Sequence, residues 1–180
     1  MRLADAPPDR SLAEPSSAPP DGRPDITALA ARVRDTTICE TTLLATDYLN
    51  HVNEIIMLIE MIPDMPEMLD EAKAWQPKSY VDHFRDSAYP FRDLAIELYP
   101  HVPARFKTPF ETTIRQLDDV IARALRLAED AVAKHNPRML RDRIGVVLDP
   151  MRRLVDVAGG IIHGSEKVLS QDEIDQVVGR

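Results

Sequence analysis

Cysteine, glycine and aromatic residues are scarce in this chain of 180 residues, which has one cysteine, six glycines and 5% aromatic residues. A single cysteine cannot build a disulfide framework, so the composition favours a reducing compartment. We expect Cys39 to be a small buried side chain rather than a reactive thiol. The chain also has no glycine-rich phosphate loop, no Cys-x-x-Cys pair and no internal repeat.

Basic stripes and long apolar runs are missing as well. The formal net charge is −8, and no dense cluster of Lys and Arg offsets it, so the sequence predicts no nucleic-acid partner. The longest apolar run is too short to span a bilayer, and the first ten residues, MRLADAPPDR, lack the apolar centre of a signal peptide. We therefore expect a cytoplasmic protein that does not bind membranes.

The residues that are abundant, Ala, Leu, Ile, Val, Arg, Glu and Asp, are typical of an all-α protein. Residues 1–24 hold six prolines among Ser, Ala and Asp, and we expect them to form a disordered arm because they have little apolar surface to bury. Residues 25–164 are predicted to form an elongated helical bundle domain. Residues 165–180 are predicted to form a linker and a C-terminal helix.

Apolar residues at helical spacing predict three long helices in the bundle. The first covers residues 26–62 and is bent near Thr36, the second follows Pro103, and the third follows the turn at Asn136-Pro137. Prolines between residues 63 and 100 predict three short connecting helices, one of them capped by Ser79. The short helices or a second copy of the chain would complete the bundle, so a homodimer is possible. We expect four aromatic residues of this region to serve packing: Trp75, Tyr80, Phe84 and Tyr89.

The stretch Thr41–Ile62 carries the most informative pattern in the bundle. One stripe is apolar and predicts a buried seam: Ala45, Tyr48, Val52, Ile55, Ile59 and Ile62. A second stripe, about a third of a turn away, carries Asp47, Asn50, His51 and Glu54. An acid, an amide and an imidazole without a cation indicate either a buried hydrogen-bond network or a functional site.

The C-terminal sequence LSQDEIDQVVG is the second informative stretch. Ser170 and Glu173 form a capping box, and Leu169 and Ile174 have the spacing of a hydrophobic staple. A helix of two turns is marginal alone in water, so we expect this one to pack against a partner or against its own bundle.

This tail resembles the peptides by which chemotaxis and flagellar proteins bind the phosphorylated response regulator CheY. It is similar to the N-terminus of the switch protein FliM and to the C-terminus of the phosphatase CheZ, whose terminal placement it shares. The resemblance implies a phosphorylated CheY-like partner in two-component signalling, bound through Leu169, Ser170, Gln171, Asp172, Ile174, Asp175, Val177 and Val178.

The segment ATDYLNHVNEII (residues 45–56) resembles the active-site helix of CheZ, which carries an acid and a glutamine four residues apart. Asn50 lies at the acid position and Glu54 at the glutamine position, so the acid and the amide are exchanged. Two other pairings are open: Asp47 with His51, and Asp47 with Asn50, the latter resembling the CheC/CheX phosphatases. Residues 63–164 show no likeness to CheZ, and the order of the helices differs.

The resemblance implies a phosphatase that accelerates hydrolysis of the regulator's aspartyl phosphate. An amide would orient the attacking water and an acid would contact the regulator's lysine. The regulator holds the Mg²⁺, so we expect no metal or other cofactor in this chain itself.

Other functions are compatible with the same residues. An adaptor or phosphate sink would bind the regulator without hydrolysing its phosphate. A metal-binding bundle could use Glu40, His51 and Glu54, although the Glu-x-x-His pairs of di-metal bundles are missing. A three-histidine site would combine His51, His101 and His163.

Overall fold

The computed structural model describes residues 26–165, and these form helices joined by turns. One isolated bridge between Ile38 and Ala45 is the only β pairing in this range, so the prediction of an all-α fold is confirmed there. The predicted arm and C-terminal helix lie outside the described residues. The helices are α1 (Ile26–Arg32), α2 (Tyr48–Met61), α3 (Met68–Ala74), α4 (Tyr80–Asp86), α5 (Arg92–Leu98) with a 3-10 turn (Tyr99–His101), α6 (Ala104–Ala133) and α7 (Pro137–Ile162).

The two long helices α6 and α7 form a hairpin, as the sequence predicts. Asn136 caps α7 by accepting a hydrogen bond from the Met139 amide at 3.0 Å, and Pro137 occupies the first helical position. Gly164 follows α7 with φ +90°, a backbone conformation that glycine adopts readily. The predicted apolar seams of both helices face the core and are buried or partly buried. The helix continues through Pro150.

Helix α2 packs against this hairpin through its apolar stripe. All six predicted seam residues, from Ala45 to Ile62, are at most 2% exposed, and burying each large aliphatic side chain stabilises the fold by about 1.5–3 kcal/mol. On the outer side, Arg152 of α7 pairs with Glu60 of α2. The helix is therefore held firmly and presents its opposite face to solvent.

The prediction of a single helix over residues 26–62 is wrong. Helix α1 ends at Arg32, and residues 33–47 form a compact turn before α2 begins. The Thr36 hydroxyl donates to the Val33 carbonyl at 2.7 Å, and the buried Thr42 hydroxyl donates to the Ile162 carbonyl at 2.6 Å. Threonine side chains thus compete with the helical backbone pattern. Asp35 and Leu43 adopt positive φ values of 64° and 62°, which end a right-handed helix.

The short helices α3, α4 and α5 lie where the prolines predict them. The Ser79 hydroxyl caps α4 by accepting from the Asp82 amide at 3.1 Å. Tyr80 and Phe84 are fully buried, while Trp75 and Tyr89 are partly buried against the core, so the predicted packing role is confirmed. Cys39 is half-buried rather than buried. Between residues 26 and 165 no helix combines the length and apolar character that a membrane crossing requires.

Candidate functional site

The acid at the start of α2, Asp47, faces the preceding turn. Its side chain does not cap the helix. Instead its carboxylate accepts a hydrogen bond from the Thr37 hydroxyl at 2.8 Å, and that hydroxyl lies 2.6 Å from the Tyr89 hydroxyl. Asp47 is therefore half-buried and already occupied by a hydrogen bond.

The imidazole of His51 packs inward, under the ring of Trp75. The two rings stack with their centroids 4.7 Å apart, and the Trp75 indole N–H donates to the His51 carbonyl at 3.1 Å. His51 Nε2 lies 2.9 Å from the Gln76 carbonyl oxygen. A carbonyl only accepts, so Nε2 carries the proton. Burial lowers the pKa of His51, which favours the neutral ring.

The ring of His83 lies beside that of His51, with their centroids 5.8 Å apart. Burial lowers the pKa of His83, with a smaller contribution in the same direction from His51. A charged imidazole would lose hydration at this position, and two charged rings would repel each other. The two histidines are thus neutral packing partners at neutral pH.

Asn50 and Glu54 lie one turn apart on α2 and point into solvent. Both residues are exposed, and the Glu54 side chain retains 66% of its accessible surface. The side-chain amide of Asn50 makes no hydrogen bond to another group of residues 26–165. Glu54 approaches only His51, with Oε2 3.9 Å from Nδ1. An amide and a carboxylate are thus available together at one exposed edge, which we call the Asn50–Glu54 edge.

The four predicted site residues therefore lie within two turns of one another but in two environments. Asp47 and His51 are engaged by the neighbouring loops, whereas Asn50 and Glu54 are open to a partner. Within residues 26–165, no three side chains of His, Cys, Asp or Glu are grouped as a metal ion would require. The alternatives built on Glu40 or on His101 and His163 therefore have no ligand group in this range.

A second feature, which the sequence analysis did not single out, is a cleft of about 420 Å³ beside the start of α2. We call it the aromatic cleft. One of its lining residues is the half-buried Asp118 of α6, whose neighbours Leu117 and Ile121 are core residues. The sequence signal for this cleft was an acid, Asp118, next to the apolar seam of α6. The lining residues are Tyr48, Pro77, Lys78, Ser79, Tyr80, Val81, Tyr99, Phe110, Glu111, Ile114, Arg115 and Asp118.

No family model, no curated protein and no solved structure matches the chain. Three features of the chain bear on its function: the Asn50–Glu54 edge, the aromatic cleft, and the C-terminal sequence beyond the described residues.

Proposed function

We propose that this protein binds a phosphorylated CheY-like receiver domain through residues 169–178 and promotes hydrolysis of the receiver's aspartyl phosphate. The observation that carries the proposal is the C-terminal sequence LSQDEIDQVV, which combines a capping box, a hydrophobic staple and an apolar edge in ten residues. A partner surface that buries the apolar edge would supply the stability that so short a helix lacks in water.

The Asn50–Glu54 edge is the pair we assign to catalysis. Its exposure supports the assignment, because a receiver's active site must reach the catalytic groups from solvent. The pairings that use Asp47 would first have to break its hydrogen bond with Thr37, and His51 would have to leave the Gln76 carbonyl. The edge also lies on a helix whose opposite face is fully buried, so its geometry is fixed before the partner arrives.

In this mechanism the Asn50 amide orients a water molecule in line with the phosphorus atom. The water oxygen bonds to phosphorus while the bond between phosphorus and the aspartate oxygen breaks, which releases inorganic phosphate and restores the receiver's carboxylate. Glu54 contacts the receiver's active-site lysine and holds the two proteins in register. Positioning is the main requirement of phosphoryl transfer, and the receiver supplies the Mg²⁺.

Side-chain substitutions on α2 test the catalytic assignment. Asn50→Ala should lower the stimulated rate of dephosphorylation by roughly a hundredfold, as the loss of one orienting group typically does, while binding through the tail stays intact. Asn53→Ala is the matched control, because Asn53 is also exposed on α2. An equal loss in both variants, or no loss in either, would remove Asn50 from the mechanism.

A non-catalytic adaptor is the second candidate function. It is favoured by the engagement of Asp47 and His51, which leaves only one open pair, with acid and amide exchanged relative to CheZ. Tight binding to the phosphorylated receiver without any acceleration of phosphate loss would select the adaptor.

A further inference from the structure

The walls of the aromatic cleft are rings whose polar groups are already satisfied. The Tyr48 hydroxyl donates to the Lys78 carbonyl at 2.8 Å, and the Tyr80 hydroxyl accepts from the Ala45 amide at 2.8 Å. The Tyr99 hydroxyl donates to the Glu111 carboxylate at 2.8 Å. Tyr48 and Tyr80 are at most 3% exposed, so a ligand would meet only the outer rims of these rings.

The rings form one continuous aromatic surface. Tyr48 meets Phe110 edge-on with centroids 5.5 Å apart, and Tyr80 stacks on Tyr99 at 4.5 Å. One face of Tyr99 is stacked on Tyr80, and Lys107 Nζ already lies 4.3 Å from the Tyr99 ring centroid, so the rings form an apolar wall and not a cation site. This wall suits a ligand with a hydrocarbon body.

Most charged groups around the cleft already have partners. Lys78 Nζ lies 2.8 Å from the Asp86 carboxylate, and the Arg115 guanidinium donates to the Thr112 hydroxyl at 3.0 Å. Asp118 is different: its carboxylate has no hydrogen bond or ion pair with any residue between 26 and 165. The cleft thus contains one half-buried acid that is not neutralised from within this range.

We propose that the aromatic cleft binds a small organic ammonium ion, with the ammonium group against Asp118 and the hydrocarbon body against Tyr48, Phe110 and Ile114. A half-buried carboxylate without a partner costs free energy, and an ammonium donor lowers that cost by a charge-assisted hydrogen bond. The volume of about 420 Å³ is within the range of small-molecule sites. A divalent metal ion suits the cleft less well, since it requires several oxygen ligands and no such group is present in residues 26–165.

The experiment compares two probes of nearly equal shape on the full-length protein by calorimetric titration at pH 8. Phenethylammonium chloride should bind, and neutral 2-phenylethanol should bind at least tenfold more weakly. Asp118→Asn should weaken phenethylammonium binding at least tenfold, whereas Asp119→Asn should leave it unchanged. Asp119 is exposed, and its substitution removes the same charge from the next position.

Three outcomes would overturn the proposal: equal affinity for the two probes, equal losses in the two variants, or no phenethylammonium binding up to millimolar concentration. A titration of the unmodified protein provides an independent check that requires no variant. Since the ionised form of Asp118 is needed, affinity should fall as the pH is lowered through about 6, and a constant affinity would contradict the role of Asp118. The other titratable groups that line the cleft are Tyr48, Lys78, Tyr80, Tyr99, Glu111 and Arg115.

Discussion

Asp118 gives the sharpest stability prediction, because the structure leaves its carboxylate half-buried and without a partner in the described range. Burial raises the pKa of Asp118 from 3.8 to about 6, and the adjacent carboxylate of Asp119 adds a smaller effect in the same direction. At about 1.4 kcal/mol per pH unit, this difference corresponds to roughly 3 kcal/mol of destabilisation when Asp118 is ionised. Solvent contact at a half-buried position reduces the expected value to about 1–2 kcal/mol.

The sign of the pH dependence follows from the raised pKa. Well below pH 4 the acid is protonated in both the folded and the unfolded chain, so it costs nothing. As the pH rises from about 4 to about 6, the unfolded chain ionises Asp118 while the folded protein keeps it protonated, so stability falls across this window and is level above it. Asp118→Asn removes this titration, so the variant should gain about 1–2 kcal/mol over the unmodified protein at pH 8 and only a small fraction of that at pH 4.

Urea denaturation at several pH values measures the difference directly. Asp119→Asn is the control, and its free energy of unfolding should follow that of the unmodified protein closely. A stability gain for Asp118→Asn that is the same at pH 4 and pH 8, or a loss at pH 8, would refute the reasoning.

Three further predictions concern the turn and the tail. Thr42→Val should lower the free energy of unfolding by about 1–2 kcal/mol, because the Ile162 carbonyl loses its buried donor. Thr41→Val at an exposed site should change the free energy of unfolding little. Equal effects of the two substitutions in urea denaturation would contradict the role of Thr42 in holding the turn. Ile174→Asp, or removal of residues 170–180, should weaken binding to the phosphorylated regulator at least tenfold, about 1.4 kcal/mol, and unchanged affinity in a calorimetric titration would exclude the tail as the binding element. Regulator activated with beryllofluoride should bind better than unmodified regulator, and equal affinities would mean that the tail does not read the phosphorylated state.

The long helices could be predicted from the sequence because their apolar seams are continuous. The apolar seam from Phe106 to Val132 keeps helical spacing throughout. Asn136-Pro137, which follows the end of this seam, is a strong turn signal. The short helices were predictable for a related reason, since prolines limit where each can begin and end.

The turn at residues 33–47 could not be predicted, since its decisive contact is remote in the sequence. The Thr42 hydroxyl donates to the Ile162 carbonyl at the end of α7, and no pattern in the sequence around Thr42 predicts this contact. Threonines weaken a helix without ending it. The contact between Thr42 and Ile162 favours the turn over a continued helix.

Helical periodicity also could not predict that two of the four polar residues on α2 are engaged by other segments and two are exposed. A helical projection places Asp47, Asn50, His51 and Glu54 on one face from their spacing alone. It contains no information about the segments that pack against the helix. Trp75 and Thr37 come from other segments and engage only the two inward residues. The aromatic cleft was missed for the same reason, as it assembles from four separate parts of the chain.

The most direct test of the proposed function is the rate of phosphate loss from a phosphorylated CheY-like regulator of the same cell, measured with and without the full-length protein. The account predicts a faster loss in the presence of the protein, a return to the regulator's own rate with Asn50→Ala, and retention of the acceleration with Asn53→Ala. A rate that the unmodified protein leaves unchanged would contradict the phosphatase function.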